Sequence, residues 1–221
     1  MSKIHTYDSD AIQVQYDVKR CIHAAECVKR LNVVFDSGKK PWIQPDNASA
    51  DVIAETIHAC PSGALHYARK DGGASEPTPE HNTLHIEPDG PLYLRGDITL
   101  LRDDCSDDGV LVMRETRLAL CRCGLSLNKP YCDNTHRTLG FADAGVVNAA
   151  QEAAGDALEA RGKLHVKPFA NGSVQVLGKL EVHDAQGNVY YRDEAYFCRC
   201  GGSGNKPFCD GTHNSNGFTA E

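Results

Sequence analysis

The chain has few aromatic side chains and no long apolar run. Its 221 residues include 6 Phe, 8 Tyr and 1 Trp, so a core built from large side chains is thin. No stretch approaches the roughly 20 apolar residues that a transmembrane helix needs. Residues 1–17 also lack the basic start and the apolar run of a signal peptide. These absences predict a cytoplasmic protein without a membrane partner.

Clustered positive charge is missing as well. The net charge is −7, and Lys and Arg form no sustained cluster, which argues against a nucleic-acid partner. The sequence also lacks a nucleophile–base pair, a phosphate-binding glycine loop and a flavin motif. We therefore predict that the protein is not an enzyme. Its acidic surface is suited to docking on a basic face of another protein.

Cysteine, by contrast, is present in a repeated pattern. Six of the ten cysteines lie in two copies of one string, CRCGLSLNKPYCDNTH and CRCGGSGNKPFCDGTH, each of the form C-x-C-x8-C-x3-H. Three thiolates and one imidazole at fixed spacing form a metal-ligand set, and in this context cysteine indicates a reducing compartment rather than a disulfide framework. The predicted ligands are Cys121, Cys123, Cys132 and His136 in the first motif, and Cys198, Cys200, Cys209 and His213 in the second.

The ligand types alone do not decide the metal. Structural zinc sites also use three cysteines and one histidine, although their cysteines usually come as C-x2-4-C pairs. The shorter C-x-C spacing favours two thiolates on one iron of a small cluster, with the C-x3-H pair on a second iron. A zinc-stabilised binding module remains the alternative.

The repeated string resembles the CDGSH iron–sulfur domain of the mitoNEET-like family, whose motif is C-x-C-x2-S/T-x3-P-x-C-D-G-S/A/T-H. Asn134 is the one departure, because the family has glycine at that place. Asparagine tolerates the left-handed backbone better than other non-glycine residues, so we expect the turn to be retained. The resemblance implies one [2Fe–2S] cluster per motif. Besides the ligands, the matching residues are Ser126, Pro130, Asp133 and Thr135, then Ser203, Pro207, Asp210, Gly211 and Thr212.

The duplication is wider than the metal motif. Residues 84–88 match 164–168, and Gly96 matches Gly178, each within alternating segments typical of strands. We predict two β-rich repeats, 84–141 and 164–221, separated by a spacer or short helix at 142–163. Since single-motif members of the family form intertwined homodimers, the resemblance implies a monomer whose two repeats form a pseudo-twofold unit.

Residues 1–68 are predicted to form a separate small domain, followed by a linker at 69–83. Cys21, Cys27 and Cys60 resemble part of a ferredoxin ligand set, and three thiolates suit a [3Fe–4S] cluster. A [4Fe–4S] cluster needs a fourth ligand, for which His23 is the nearest candidate. The segment from Tyr16 to Tyr67 resembles the divergent mono-cluster ferredoxin family, often described as [4Fe–4S]. The alternative is three unligated core cysteines.

Together these features predict an α+β protein, with a small ferredoxin-like domain followed by two CDGSH-type repeats. We predict an electron carrier with two [2Fe–2S] clusters and one [3Fe–4S] or [4Fe–4S] cluster. Its expected partner is a reductase or a ferredoxin-like protein. The alternative is a cluster donor to an apo iron–sulfur acceptor, or a redox or pH sensor.

Two further residues have local interpretations. Cys105 has no counterpart in the second repeat and is interpreted as a free thiol. Trp42 is expected to shield the N-terminal cluster or fill the core.

Overall fold

The fold is β-rich with few helices. A computed structural model describes residues 3–102, 110–148 and 160–220, so Cys105 and half of the predicted spacer lie outside the described residues. The chain divides into two compact units, Met1–Pro77 and Thr78–Glu221. No helix in the described part of the chain is long and apolar enough to cross a membrane.

The elements of the first unit are β1 (Ile4–Asp8), β2 (Ile12–Asp17), α1 (Glu26–Arg30), α2 (Ala50–His58) and β3 (Leu65–Arg69). The three strands form an antiparallel sheet in the order β1-β2-β3. Ile12 and Val14 of β2 point to the core, where they pack with Ile53 and Ile57 of α2. The period-2 and period-3.6 patterns of these segments explain which faces are buried.

The sequence predicts a helix that Ser49 caps and whose apolar positions Val52, Ile53, Ile57 and Cys60 share one face. Two details of this prediction are wrong. The helix does begin at Ala50, but the Ser49 side chain makes no capping hydrogen bond. Val52, expected on the buried face, is 44% exposed. Val52 immediately precedes Ile53, and one step of about 100° around a helix turns it away from the core.

The second unit is one six-stranded sheet to which both repeats contribute. Its core combines leucine, isoleucine and valine side chains from five of the six strands with Tyr190, Ala195 and Phe197 from the sixth. The first repeat supplies β4 (Thr83–Ile86), β5 (Leu92–Arg102), β6 (Val110–Leu120) and the single-turn helix α3 (Thr135–Thr138); the second supplies β7 (Lys163–Pro168), β8 (Val174–His183) and β9 (Val189–Phe197).

The short first strand of each repeat pairs with strands of both repeats. Strand β4 is antiparallel to β5 and parallel to β8, while β7 is antiparallel to β8 and parallel to β5. Leu84 consequently lies opposite Val182, and Leu164 lies opposite Ile98; all four side chains are fully buried. Each repeat therefore completes the sheet of the other, and neither has a core of its own.

Asn82 ties the two repeats together just before β4. Its Nδ2 donates to the carbonyl oxygens of Gly162 (2.9 Å) and Lys179 (3.0 Å), while its Oδ1 accepts from the Asp97 N–H (3.3 Å). The close approach requires glycine at position 96, where a Cβ would collide with Asn82 Oδ1. Asn82 is thus a buried hydrogen-bonding centre between the repeats.

Replacing Asn82 with alanine is expected to lower the free energy of unfolding by roughly 2–4 kcal/mol, because buried peptide groups lose their partners. Urea unfolding of the loaded protein, followed by circular dichroism, measures this loss. The neighbouring His81 is exposed, so His81→Ala should stay within about 0.5 kcal/mol of the parent. Equal effects of the two substitutions would contradict the role given to Asn82.

Candidate metal centres

Each predicted motif begins where a long strand ends. Strand β6 ends immediately before Cys121, and β9 ends immediately before Cys198. The loop then folds back, so that Cys121 N–H donates to the Pro130 carbonyl and Cys132 N–H donates to the Ala119 carbonyl, both at 2.8 Å. The second motif makes the same bonds, from Cys198 to Pro207 and from Cys209 to Tyr196, also at 2.8 Å. These bonds bring the distant C-x3-H segment beside C-x-C.

The four predicted ligands of each motif form two close pairs. Cys121 Sγ lies 3.7 Å from Cys123 Sγ, and Cys132 Sγ lies 3.4 Å from His136 Nδ1. In the second motif the corresponding separations are 3.7 Å, between Cys198 and Cys200, and 3.3 Å, between Cys209 Sγ and His213 Nδ1. Two sulfurs at about 2.3 Å from one tetrahedral metal lie about 3.7 Å apart, so each pair fits one metal.

The motif's polar residues hold the loop in shape. Asp133 accepts from the backbone N–H groups of Leu127 (2.8 Å) and Thr135 (3.0 Å). Ser126 donates from Oγ to the Tyr131 carbonyl at 2.6 Å. The second motif repeats these contacts through Asp210 and Ser203. The matching Asp and Ser side chains therefore position the predicted ligands.

Backbone N–H groups point at the sulfurs in both motifs. Leu125 N–H donates to Cys123 Sγ at 3.5 Å, and Asn134 N–H donates to Cys132 Sγ at 3.4 Å. Gly202 and Gly211 make the equivalent bonds in the second motif, both at 3.4 Å. Such bonds stabilise negative charge on sulfur, which is one way in which a protein sets the reduction potential of an iron–sulfur site.

A hydrogen bond links the Cys121 and Cys123 thiols of the first motif. A hydrogen bond from Cys123 lowers the pKa of Cys121 to about 6 and raises the pKa of Cys123. Burial raises the pKa of Cys132 to about 11 and that of Cys198 to about 11. Since thiolates are the ligands, metal binding must release these protons.

Asn134 has the left-handed conformation that its position requires. Its φ and ψ are 71° and 4°, close to the 87° and 0° of the equivalent Gly211. The expectation that asparagine retains this turn is confirmed.

Because alanine is strained at positive φ, Asn134→Ala should lower the free energy of unfolding by about 1 kcal/mol, whereas Asn134→Gly should change it little. Thermal unfolding compares the two variants; equal losses would contradict the conformational argument.

The two C-x-C segments meet directly. Cys123 and Cys200 form an isolated antiparallel β-bridge. A Cβ on Gly124 would lie 2.5 Å from the Cys200 carbonyl oxygen, and one on Gly201 would collide with the Cys123 carbonyl. A predicted ligand of one motif therefore lies against a predicted ligand of the other, and glycine makes this approach possible.

The motifs differ in exposure. All four predicted ligands of the first motif are buried, including His136 at 7% exposure. In the second motif Cys198 is buried, whereas Cys200, Cys209 and His213 are half-buried. The second centre is consequently the more accessible to solvent and to other proteins.

The N-terminal cysteines surround one cavity. Cys21, Cys27 and Cys60 line a space of about 340 Å³, including its open mouth, together with Trp42 and His23. Burial, followed by the nearby charges of Cys60 and Cys21, raises the pKa of Cys27 to about 11. The three thiols are therefore mutual neighbours in a largely apolar pocket, as a cluster site requires. Trp42 forms one wall and also packs edge-on against Tyr16, with ring centroids 4.9 Å apart.

The loop between Cys21 and Cys27 has an unusual backbone. His23 and Ala25 have φ values of 50° and 62°, which side chains other than glycine rarely adopt. Strain of this kind concentrates at ligand-binding sites. His23 is exposed at the rim, within reach of the cavity that the cysteines line.

Sequence reasoning missed three parts of the site. Gly124 and Gly201 control the meeting of the motifs, and Arg122 and Arg199 are buried between the C-x-C cysteines. The arginine and the glycine both belong to the string CRCG, which occurs in each motif. Their repetition was therefore the signal that could have indicated a role for them. Asn82 had no such signal, because its partners are distant in sequence.

Comparisons with known proteins agree with this arrangement. Residues 7–70 match the family model described as a divergent 4Fe-4S mono-cluster, and residues 89–137 and 171–214 match the model described as iron-binding zinc finger, CDGSH type. The chain is 36% identical over 64 residues to the uncharacterized protein YjdI of Escherichia coli strain K12 and to YjdI of E. coli O157:H7, covering 29% of this chain and 84% of either relative. No solved structure matches. Both resemblances inferred from the sequence are confirmed.

Proposed function

This chain belongs to the iron–sulfur proteins that join a divergent 4Fe-4S mono-cluster domain to two CDGSH segments, and we propose that it is an electron carrier. The observation that carries the proposal is the direct contact between the two motifs at Cys123 and Cys200. Two redox centres whose ligand residues touch are suited to exchanging electrons with each other.

We propose that each motif holds a [2Fe–2S] cluster. Its four ligands come as two pairs, each with the separation expected for one tetrahedral metal. A mononuclear zinc site needs all four ligands around one point, and no group of three His, Cys, Asp or Glu in the described ranges could hold a single ion. Two metals per motif therefore fit the pairs better than one.

A cluster bound there accepts and releases one electron. Because a neutral imidazole replaces one thiolate, less negative charge surrounds the site than in all-cysteine ferredoxins at about −400 mV. The histidine ligand therefore favours the reduced form, and the potential should lie above that value, toward the Rieske range that begins near −150 mV. The backbone N–H groups that donate to sulfur act in the same direction.

The equivalent strand pairings support a pseudo-twofold arrangement of the two repeats. The first strand of each repeat adds to the long strand of the other, so one chain completes the unit and acts as a monomer. The two registers are equivalent. Ile86 faces Leu92 in the first hairpin as Pro168 faces Val174 in the second, and at that same offset Leu84 facing Val182 corresponds to Val166 facing Leu100. The predicted match of residues 84–88 with 164–168 is therefore displaced by two residues from the equivalence that the strand pairings give.

For the N-terminal unit we propose a ferredoxin-like domain with a third cluster held by Cys21, Cys27 and Cys60. Three thiols around one cavity support a [3Fe–4S] cluster. His23, which lines the same cavity, is the proposed fourth ligand of a [4Fe–4S] cluster. The spin state and the iron count distinguish a [3Fe–4S] cluster from a [4Fe–4S] cluster. His23→Ala should change these two properties only if the cluster is [4Fe–4S].

A reductase or ferredoxin-like protein is the proposed redox partner, in the cytoplasm, and no substrate conversion is assigned. The net charge of −7 favours a basic docking face on that partner.

Cluster donation is the second candidate function, and the exposure of the second motif favours it. Cys200, Cys209 and His213 are half-buried, so an acceptor protein can approach this centre. The first motif, fully buried, is less suited to donation. If donation is the function, the cluster of the second motif should be lost before the cluster of the first motif.

The test combines iron and sulfide counting with EPR during a reductive titration. Three cluster signals, reversibly reduced by a flavoprotein reductase without loss of iron, would support electron transfer. Transfer of the second cluster to an apo-ferredoxin, slowed in His213→Cys but not in His136→Cys, would instead establish donation. A colourless protein with stoichiometric zinc would refute both.

A further inference from the structure

The central arginines of the two C-x-C segments occupy equivalent positions but have different partners. Arg122 is 1% exposed and fully bonded: Nε donates to the Gly90 carbonyl (3.0 Å), Nη2 donates to the Glu87 carbonyl (2.6 Å), and Nη1 pairs with Asp143. Its guanidinium carbon lies 5.2 Å from the centroid of the Phe141 ring. In the first repeat, a carboxylate therefore neutralises the buried guanidinium.

Arg199 is equally buried, at 2% exposure, and lies 5.6 Å from the centroid of Phe218, the counterpart of Phe141. None of its three side-chain nitrogens has a hydrogen-bond partner in the part of the chain that the structure describes. Burial lowers the pKa of Arg199, and only the charge of Cys121 opposes this effect. A buried guanidinium without an acceptor is costly, and a bound water or ion is a usual explanation.

The missing acceptor can be identified by comparing the repeats. Asp143 N–H donates to Asp89 Oδ1 (2.7 Å), and Asp89 N–H donates to the Asp143 carbonyl (2.9 Å). Ala220 and Asn171 make the same reciprocal pair, at 2.9 and 2.7 Å. Ala220 therefore occupies the place of Asp143 and offers Arg199 a methyl group where Arg122 has a carboxylate.

The surroundings of each arginine also include a lysine that belongs to the other repeat. Lys206 Nζ lies 3.9 Å from Asp143 Oδ2 in the first site, and Lys129 Nζ lies 5.8 Å from the Phe218 ring centroid in the second. The second site thus has two cations and no carboxylate among its described residues. We call Lys129, Arg199, Phe218 and Ala220 the anion cradle; all except Arg199 are half-buried, so its rim is open to solvent.

We propose that the anion cradle binds a carboxylate, or an oxyanion of similar size, in the place that Asp143 occupies in the first repeat. The first repeat is the internal template: the same arginine, aromatic ring and lysine enclose a carboxylate there. The proposal depends on the fold of the second unit and not on which metal the motifs hold. Because Arg199 lies between Cys198 and Cys200, anion binding changes the charge beside the second centre.

The test measures binding of ¹³C-labelled acetate to the oxidised, loaded protein by NMR line broadening at constant ionic strength. Acetate should bind at one site per chain. Ala220→Asp supplies the carboxylate covalently and should weaken acetate binding at least tenfold. The matched variant Asp143→Ala opens the first site and should raise the stoichiometry to two. Because Asp143→Ala leaves the buried Arg122 without its carboxylate, circular dichroism and visible absorption first check that this variant is folded and loaded.

Glu221 follows Ala220 and lies outside the described residues, so Glu221→Gln separates two sources of the carboxylate. Acetate binding to the parent supports a ligand from solution, whereas binding only after Glu221→Gln supports a carboxylate from the chain itself. Failure of acetate to bind either protein, or binding to Ala220→Asp as tightly as to the parent, overturns the proposal.

Discussion

Replacing Gly124 with alanine should destabilise the second unit by roughly 3 kcal/mol or more. The φ of 79° costs an L-residue about 1–2 kcal/mol by itself. The added Cβ would also lie 2.5 Å from the backbone carbonyl oxygen of Cys200, which cannot move without breaking its bridge to Cys123. Since both residues are predicted ligands, the visible absorption of both clusters should change as well. Urea unfolding and absorption spectroscopy measure the two effects.

Gly140→Ala is the matched control. Gly140 has a φ of 67°, and no atom lies within 4 Å of a Cβ built on it. Gly140→Ala therefore carries the conformational cost without the collision. Its free energy of unfolding should fall by only about 1–2 kcal/mol, and its absorption spectrum should not change. Similar losses in the two variants would show that the contact between the motifs is unimportant.

Removing one cysteine from a motif should remove one whole cluster. Cys132 supplies half of the Cys132–His136 pair, so Cys132→Ala leaves one metal with a single protein ligand. We expect the loss of about two irons and two sulfides per chain, with the remaining clusters retained. Because the two repeats share one core, the free energy of unfolding of the second unit should fall as well. Iron and sulfide analysis with EPR checks the content.

Cys209→Ala gives the equivalent test in the second motif and should produce the same stoichiometric loss with a different residual EPR signal. Cys105→Ser, which changes a cysteine outside both motifs, should leave the content unchanged. Loss of one zinc per substituted motif would contradict the cluster assignment.

The sequence indicated which side chains converge in each motif because the predicted ligands are local. All four of them lie within one sixteen-residue string, so spacing alone indicates which side chains can meet. The same holds for Asn134, whose left-handed conformation follows from the turn chemistry of a few residues. The Ser49 cap and the burial of Val52 were wrong because each depends on how the helix is rotated against its neighbours.

The sequence by itself determined that this protein has two equivalent metal motifs, a third cysteine set and no membrane-spanning run. Only the tertiary structure decided how the repeats combine: the exchange of β4 and β7, the bridge between Cys123 and Cys200, and the unmatched Arg199. The strand pairings and the bridge join segments that are far apart in the chain, and sequence patterns report local periodicity, not such pairings. Two nearly identical strings therefore specify the same ligand sets, while their different neighbours make one centre buried and neutralised and the other accessible and cationic.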